Sequence, residues 1–189
     1  MILVNGDSFT VGEESPIAWP SLIPNTVNIA LSGASNDYIC RSTVNYIENV
    51  SNKVDAVIIA WTTPNRIELV HRHLTATSHR KYGDIVDTVF CDWDEWWADN
   101  KFISQVKMMA GYLKMRNLPF LFISTFDIQR INHSKVWNMP EEYLGWPNEG
   151  LVEWMGDCDK GPGGHPLEQG HIRIALKINE HIRNLGWVS

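Results

Sequence analysis

Short apolar runs alternate with amphipathic stretches along the whole chain. Residues 1–4, Met-Ile-Leu-Val, form an opening run suited to a buried strand, and it breaks at Asn5-Gly6-Asp7-Ser8. Residues 10–24 are rich in Gly, Pro, Ser and Glu and read as a loop, with a short helical piece around Trp19 to Ile23. Residues 26–31 predict a second strand, closed by the turn cluster at 32–36. From residue 36 or 37 to 50, Ile39, Thr43, Tyr46, Ile47 and Val50 recur at helical spacing, with Ser35 or Asn36 placed to cap. Residues 54–61 are a third, β-branched strand that ends in Thr62-Thr63-Pro64-Asn65-Arg66. Residues 67–70 are expected to start a helix, and 92–97 to lie over the core as an insertion.

A helix is predicted over 100–117, with Phe102, Ile103, Val106, Met109, Ala110, Leu113 and Met115 on its apolar face and Met108 and Met109 as core packing. Residues 120–124 predict a fourth strand, and 151–154 a short edge strand. The last helix covers 167–185, opened by Pro166 and closed by Gly186. Its apolar face is read as Ile172, Ala175, Leu176, Ile178, Ile182 and Leu185, which leaves His171 toward solvent. Strands alternating with helices imply an α/β fold: a mostly parallel, doubly wound sheet in a three-layer α/β/α sandwich. One domain over 1–189 is expected, with loop-rich insertions around 71–99 and 127–164.

Composition narrows the function classes. A hydrophobic fraction of 44% and a charged fraction of 20% describe a globular chain with a sizeable core. The net charge of −6, with no basic stripe, argues against a nucleic-acid partner and favours a neutral or polar substrate. Three widely spaced cysteines, Cys40, Cys91 and Cys158, give no zinc spacing and suit a reducing compartment. His71, His73 and His79 lack the spacing of a metal motif and are read as solvated, so no metal and no cofactor is expected. No apolar run approaches the roughly 20 residues that span a bilayer, and the start lacks a signal-peptide pattern. A cytoplasmic protein without a membrane partner is the expectation, its oligomeric state open. The nine tryptophans, with Trp93, Trp96 and Trp97 clustered, read first as core or loop anchors and second as a sugar platform.

The candidate chemistry lies in the turns. In a parallel doubly wound sheet the strand carboxyl ends cluster, so Gly6-Asp7-Ser8, Gly33 and residues 62–66 can meet in one crevice. The loop carrying His165-Pro166 reaches the same crevice if the last helix packs back on the sheet. A serine there can act as a nucleophile when a base and an oxyanion site join it. Arg66 can pair with Glu68 or another surface acid, or contact substrate.

These blocks resemble the SGNH (GDSL-like) hydrolases. Gly6-Asp7-Ser8 matches the family's first block, with Trp19 and Leu22 similar to its downstream W-x-x-L spacing. Gly33 matches the glycine after the second strand, and His165-Pro166 matches part of the closing D-x-x-H-P. Gly170-His171 and Ala175 also look like the family's ending. The sequence departs from the family pattern twice. The third block, G-x-N-D, has no glycine here; an ungapped alignment puts Pro64 at its asparagine, and Asn65 fits by a one-residue shift, with Asn36 or a threonine hydroxyl as other donors. The aspartate three before the histidine is replaced by Pro162, and Asp159 or Asp157 lies further back.

The resemblance implies a flavodoxin-like SGNH fold and a serine esterase or carbohydrate O-deacetylase acting on a small-molecule or carbohydrate ester. It implies Ser8 as nucleophile, His165 as base and Asp159 or Asp157 as its orienting acid. Ser8, Gly33 and Asn65 would form the oxyanion site, and Asp7, Asn36 and Arg66 the substrate contacts. The alternatives are a catalytically reduced binding domain for a glycan or protein, and a thioesterase or acyltransferase using the same site.

Overall fold

The computed structural model describes residues 1–50, 54–69, 72–74, 84–126 and 138–188. Its centre is a four-stranded sheet of β1 (Ile2–Asn5), β2 (Thr26–Asn28), β3 (Ala56–Trp61) and β6 (Phe120–Ser124). The order is β2-β1-β3-β6, and every pairing is parallel. β1 and β3 are interior strands buried on both faces, which is why their sequences read as unbroken apolar runs. β4 (Ile67–Leu69) and β5 (Arg72–Leu74) form a separate antiparallel pair.

Strand side chains alternate between two cores. On one face Ile2, Val4, Ile58, Ala60, Leu121 and Ile123 pack with Trp19 and with two late helices. These are α5 (Leu151–Met155) and α6 (Glu168–Asn184). On the other face Leu3, Val57, Ile59, Trp61 and Phe122 meet α2 (Asn36–Val50) and α4 (Glu95–Met115). The result is the α/β, three-layer doubly wound sandwich expected from the alternation. A four-residue helix, α1 (Ser8–Val11), follows β1, and α3 (Asp84–Phe90) precedes α4.

Several elements differ from the sequence reading. Residues 67–69 are a strand, not a helix start; Glu68 pairs with Arg41 of α2 and takes its place opposite β5. Residues 151–155 are helical rather than an edge strand, because Leu151, Trp154 and Met155 all face the core at helical spacing. The helix expected from residue 100 begins at Glu95, where the Asp94 carboxylate accepts the Trp97 N–H at 2.6 Å and caps it. Met109 is core, but Met108 is exposed. On α6 the buried stripe is His171, Ile174, Ala175, Ile178 and Ile182, while Leu176 and Leu185 face solvent. His73 is half-buried against the Tyr38 ring, and burial lowers its pKa. His71, His79 and residues 127–137 lie outside the described residues.

Candidate active site

Ser8 stands where β1 leaves the sheet. Gly6 makes this turn possible through close approach: a Cβ there would meet Thr10 Oγ1 at 2.3 Å and the Ala60 carbonyl oxygen at 3.0 Å. Asp7 caps α1 by accepting the Phe9 N–H at 3.2 Å. Ser8 is buried, 5% exposed, and its hydroxyl makes no hydrogen bond among the described residues. The Ser8 and Gly33 backbone N–H groups likewise donate to no partner among the described residues. Gly33 lies beyond β2 in a loop docked on β1, since Ile29 N–H donates to the Val4 carbonyl and Leu31 N–H to that of Gly6. Its φ of 72° is a left-handed conformation suited to glycine.

Beneath Ser8 lies a network of polar side chains. The Asp7 carboxylate accepts the Thr62 hydroxyl at 2.6 Å and the Arg66 guanidinium at 3.1 Å. Arg66 also reaches the Ala34 carbonyl at 3.4 Å, next to Gly33. Asn36 donates its amide to the Thr62 carbonyl at 2.9 Å and accepts the Thr62 N–H at 3.0 Å. Asp7 and Asn36 are 2% and 1% exposed. Both side chains are thus held by hydrogen bonds inside the protein. Arg66 pairs with the buried Asp7 rather than with Glu68, which Arg41 of α2 engages. Asn65 is exposed, its side-chain oxygen accepts the Thr63 hydroxyl, and its amide nitrogen has no partner among the described residues.

His165 reaches this edge from the far end of the chain. Its ring lies against Phe9, the residue after Ser8, with centroids 5.4 Å apart. The acid on the ring is neither of the expected ones. Asp157 forms an ion pair with Arg173 at 2.9 Å. Asp159 is exposed and meets this region through its backbone carbonyl, which accepts the Leu167 N–H. The carboxylate at His165 Nδ1 is that of Glu14, at 2.8 Å. Glu14 also accepts the Gly163 N–H at 2.7 Å and the His165 N–H at 3.3 Å. These backbone bonds, Gly163 first, with the imidazole beside them, hold its pKa below the usual carboxylate value. Glu13 places an oxygen 3.8 Å from His165 Nε2 and accepts the Ser32 hydroxyl, next to Gly33.

Sequence reasoning missed both glutamates. The available signal was negative: Pro162 occupies the expected acid position, and a tandem Glu13-Glu14 sits in the exposed loop just after the nucleophile. His171 also departs from its expected place on the solvent face. It is fully buried, with Nδ1 accepting the Trp19 N–H at 3.2 Å. Burial, and secondarily the charge of His165, lower its pKa to about 4.

Among the described residues no group of His, Cys, Asp and Glu is arranged to hold a metal ion, and no helix is long and apolar enough to cross a membrane. No protein-family model matches the sequence, and the search of curated proteins finds no match. Solved structures do match. TesA superposes with a TM-score of 0.59 at 14% identity, over 94% of this chain and 94% of its own. A GDSL-like lipase from Bacteroides thetaiotaomicron gives a TM-score of 0.40 at 14% identity, over 97% and 88% of the two chains. A lipase/acylhydrolase from Enterococcus faecalis gives 0.40 at 15% identity, over 97% and 95%. The protein thus has the fold of TesA, the α/β/α architecture that its resemblance to the SGNH hydrolases implies.

Proposed function

We propose that the protein is a serine hydrolase of the SGNH type that cleaves a small acyl ester. What supports this reading is that the Ser8 hydroxyl and the Ser8 and Gly33 N–H groups have no partner among the described residues, and that the His165 ring lies against Phe9, the residue after Ser8. Ser8 Oγ attacks the ester carbonyl while His165 Nε2 takes its proton. The tetrahedral oxyanion is held by the N–H groups of Ser8 and Gly33, with the Asn65 amide as third donor. Collapse expels the alcohol, which receives the proton from His165, and leaves Ser8 acylated. Water, deprotonated by His165, then releases the acid and restores the serine.

The alcohol portion is best read as neutral and carbohydrate-like. Glu13 and Glu14 make the rim of the site acidic, and its nearby cation, Arg66, is engaged by Asp7, so an anionic alcohol is disfavoured. Trp93, Trp96 and Trp97 line an open cleft with Asp92 and Asp94, offering aromatic faces and carboxylates to sugar carbons and hydroxyls. The test is hydrolysis of p-nitrophenyl acetate and of an acetylated sugar by wild type and by Ser8→Ala. Wild type is expected to cleave both and to be labelled at Ser8 by a fluorophosphonate. Ser8→Ala is expected to lose about 10³-fold or more in kcat with an unchanged fold. Equal rates for the two proteins would overturn the reading and leave a glycan- or protein-binding role for the same fold. Acyl transfer to an added alcohol in preference to water would make it an acyltransferase.

A further inference from the structure

We propose that Glu14 is the positioning carboxylate of His165, so that the Ser8-His165 pair is completed by an acid six residues after the serine rather than just before the histidine. This rests on the serine-hydrolase reading above and adds the residue that the chain's own sequence leaves vacant at Pro162.

Three observations converge on Glu14. The first is its bond pattern. One oxygen accepts the Gly163 N–H; the other accepts the His165 N–H and faces His165 Nδ1 at 2.8 Å. A carboxylate is acceptor only, so Nδ1 carries the hydrogen and Nε2 is left with its lone pair. That is the tautomer a base needs to receive the serine proton. When it does, the imidazolium lies between Glu14 on Nδ1 and Glu13, 3.8 Å from Nε2, and Glu14 remains ionised throughout.

The second observation is the cradle. A Cβ on Gly161 would meet Glu14 Oε2 at 2.6 Å, and a Cβ on Gly163 would meet it at 3.0 Å. The glycine-rich run before His165 therefore leaves room for this one carboxylate. Gly161 N–H donates to the His165 carbonyl at 2.9 Å, folding the run back around it.

The third is backbone conformation. Glu14 has φ of 68°, a left-handed value that a side-chain-bearing residue adopts at an energetic cost. Strain of this kind is held where surrounding contacts over-determine it, as the three contacts to the 163–165 segment do here. Asp157 and Asp159 make no contact with the ring among the described residues, so no second acid competes for Nδ1.

Glu14→Gln separates orientation from packing. Either orientation of the amide spoils the pattern: with its oxygen on the Gly163 N–H its NH2 faces the His165 N–H and Nδ1, and with its oxygen on His165 its NH2 faces the Gly163 N–H. In both, the negative charge beside Nδ1 that holds the tautomer and the imidazolium is gone. The expected result is a fall in kcat of about 10³-fold or more, with KM within about threefold of wild type. Glu14→Asp, which keeps the charge on a shorter stem, is expected to recover at least tenfold of that loss at about the same KM. Melting temperatures of both variants, measured alongside, separate a loss of folded protein from a loss of turnover.

A second readout does not depend on turnover. In imidazole-nitrogen NMR of the full chain, wild-type His165 should show a protonated Nδ1 and an unprotonated Nε2, and Glu14→Gln should lose that preference for Nδ1. A wild-type His165 protonated on Nε2 would overturn the proposal, as would a Glu14→Gln enzyme keeping half its kcat. If wild type neither cleaves esters nor reacts with a fluorophosphonate, the serine-hydrolase reading fails, while the tautomer measurement still decides whether Glu14 sets the ring.

Discussion

The floor and the rim of the site use the same residue types for opposite ends. Beneath Ser8, Asp7 is buried, paired with Arg66, and committed to Thr62 and the start of α1. Above it, Glu14 is at the surface and committed to the loop that carries His165. The histidines divide in the same way. His171 is sealed in the floor against Trp19, which fixes it neutral; His165 is on the rim, half-buried, between two carboxylates. In the floor Asp7 is tolerated as a carboxylate because its oxygens are bonded, while His171, whose Nε2 has no partner among the described residues, is held uncharged by burial. On the rim the His165 and Glu14 side chains, 15% and 23% exposed, are bonded to each other, and that bond sets a proton's position.

The largest effect that would test this contrast comes from the floor. Asp7→Ala strips the cap from α1 and leaves Arg66 and the Thr62 hydroxyl without their carboxylate. A loss of about 2–4 kcal/mol is expected in urea unfolding. A loss below 0.5 kcal/mol, outside that range by a wide margin on the same scale, would mean the floor is not the structural half of the site.

The next is acid destabilisation by His171. Its folded pKa is lowered from 6.5 to about 4, so the unfolded chain takes up the proton first as pH falls. Stability from this group is complete above about pH 6.5, declines between there and about pH 4, and is then constant. The decline should be no more than about 2 kcal/mol after allowance for water entering around the charging ring. Urea midpoints measured from pH 7 to 4 should show it, and His171→Gln should flatten that slope. An unchanged slope in the variant would remove His171 from the floor's energetics.

Rim changes should leave stability alone and move activity. Gly161→Ala places a methyl against Glu14 Oε2 and is expected to reduce kcat about tenfold, equivalent to about 1.4 kcal/mol, at nearly constant melting temperature. The smallest effect expected is that of Asp157→Asn. Asp157 is 93% exposed and engaged with Arg173, so kcat should stay within about twofold of wild type. A large loss there would return the orienting role to the acid that precedes His165 in sequence.

How far each half could be read from the sequence follows from its range of contacts. β1, β3 and β6 were legible as apolar runs because every residue in them is buried, whereas the edge strand β2, half-buried to exposed, ends at Asn28, short of the expected residue 31. Ser8 was legible because the turn after the first strand carries it, Gly33 because it lies in the turn cluster at 32–36, and His165 because Pro166 marks the approach to a helix. His171 could have been read as well: it lies three and four residues before Ile174 and Ala175, on the stripe that continues through Ile178 and Ile182. Its imidazole was assigned to solvent on residue type, whereas the helix phase put it inside. Residues 67–69 were ambiguous because three residues do not define a period, and their strand state depends on a partner at 72–74.

The sequence by itself determined the alternation of elements, the parallel sheet, and the loops from which a nucleophile and a base would come. These depend on patterns a few residues long, repeated along the chain. Only the tertiary structure decided which groups those loops meet. Glu14 and His165 are 151 residues apart in sequence, and Asp7 and Arg66 are 59 apart. No periodicity spans such distances. The pairings arise because parallel strands gather their carboxyl ends on one edge, and because α6 packs back across the sheet to bring its leading loop there.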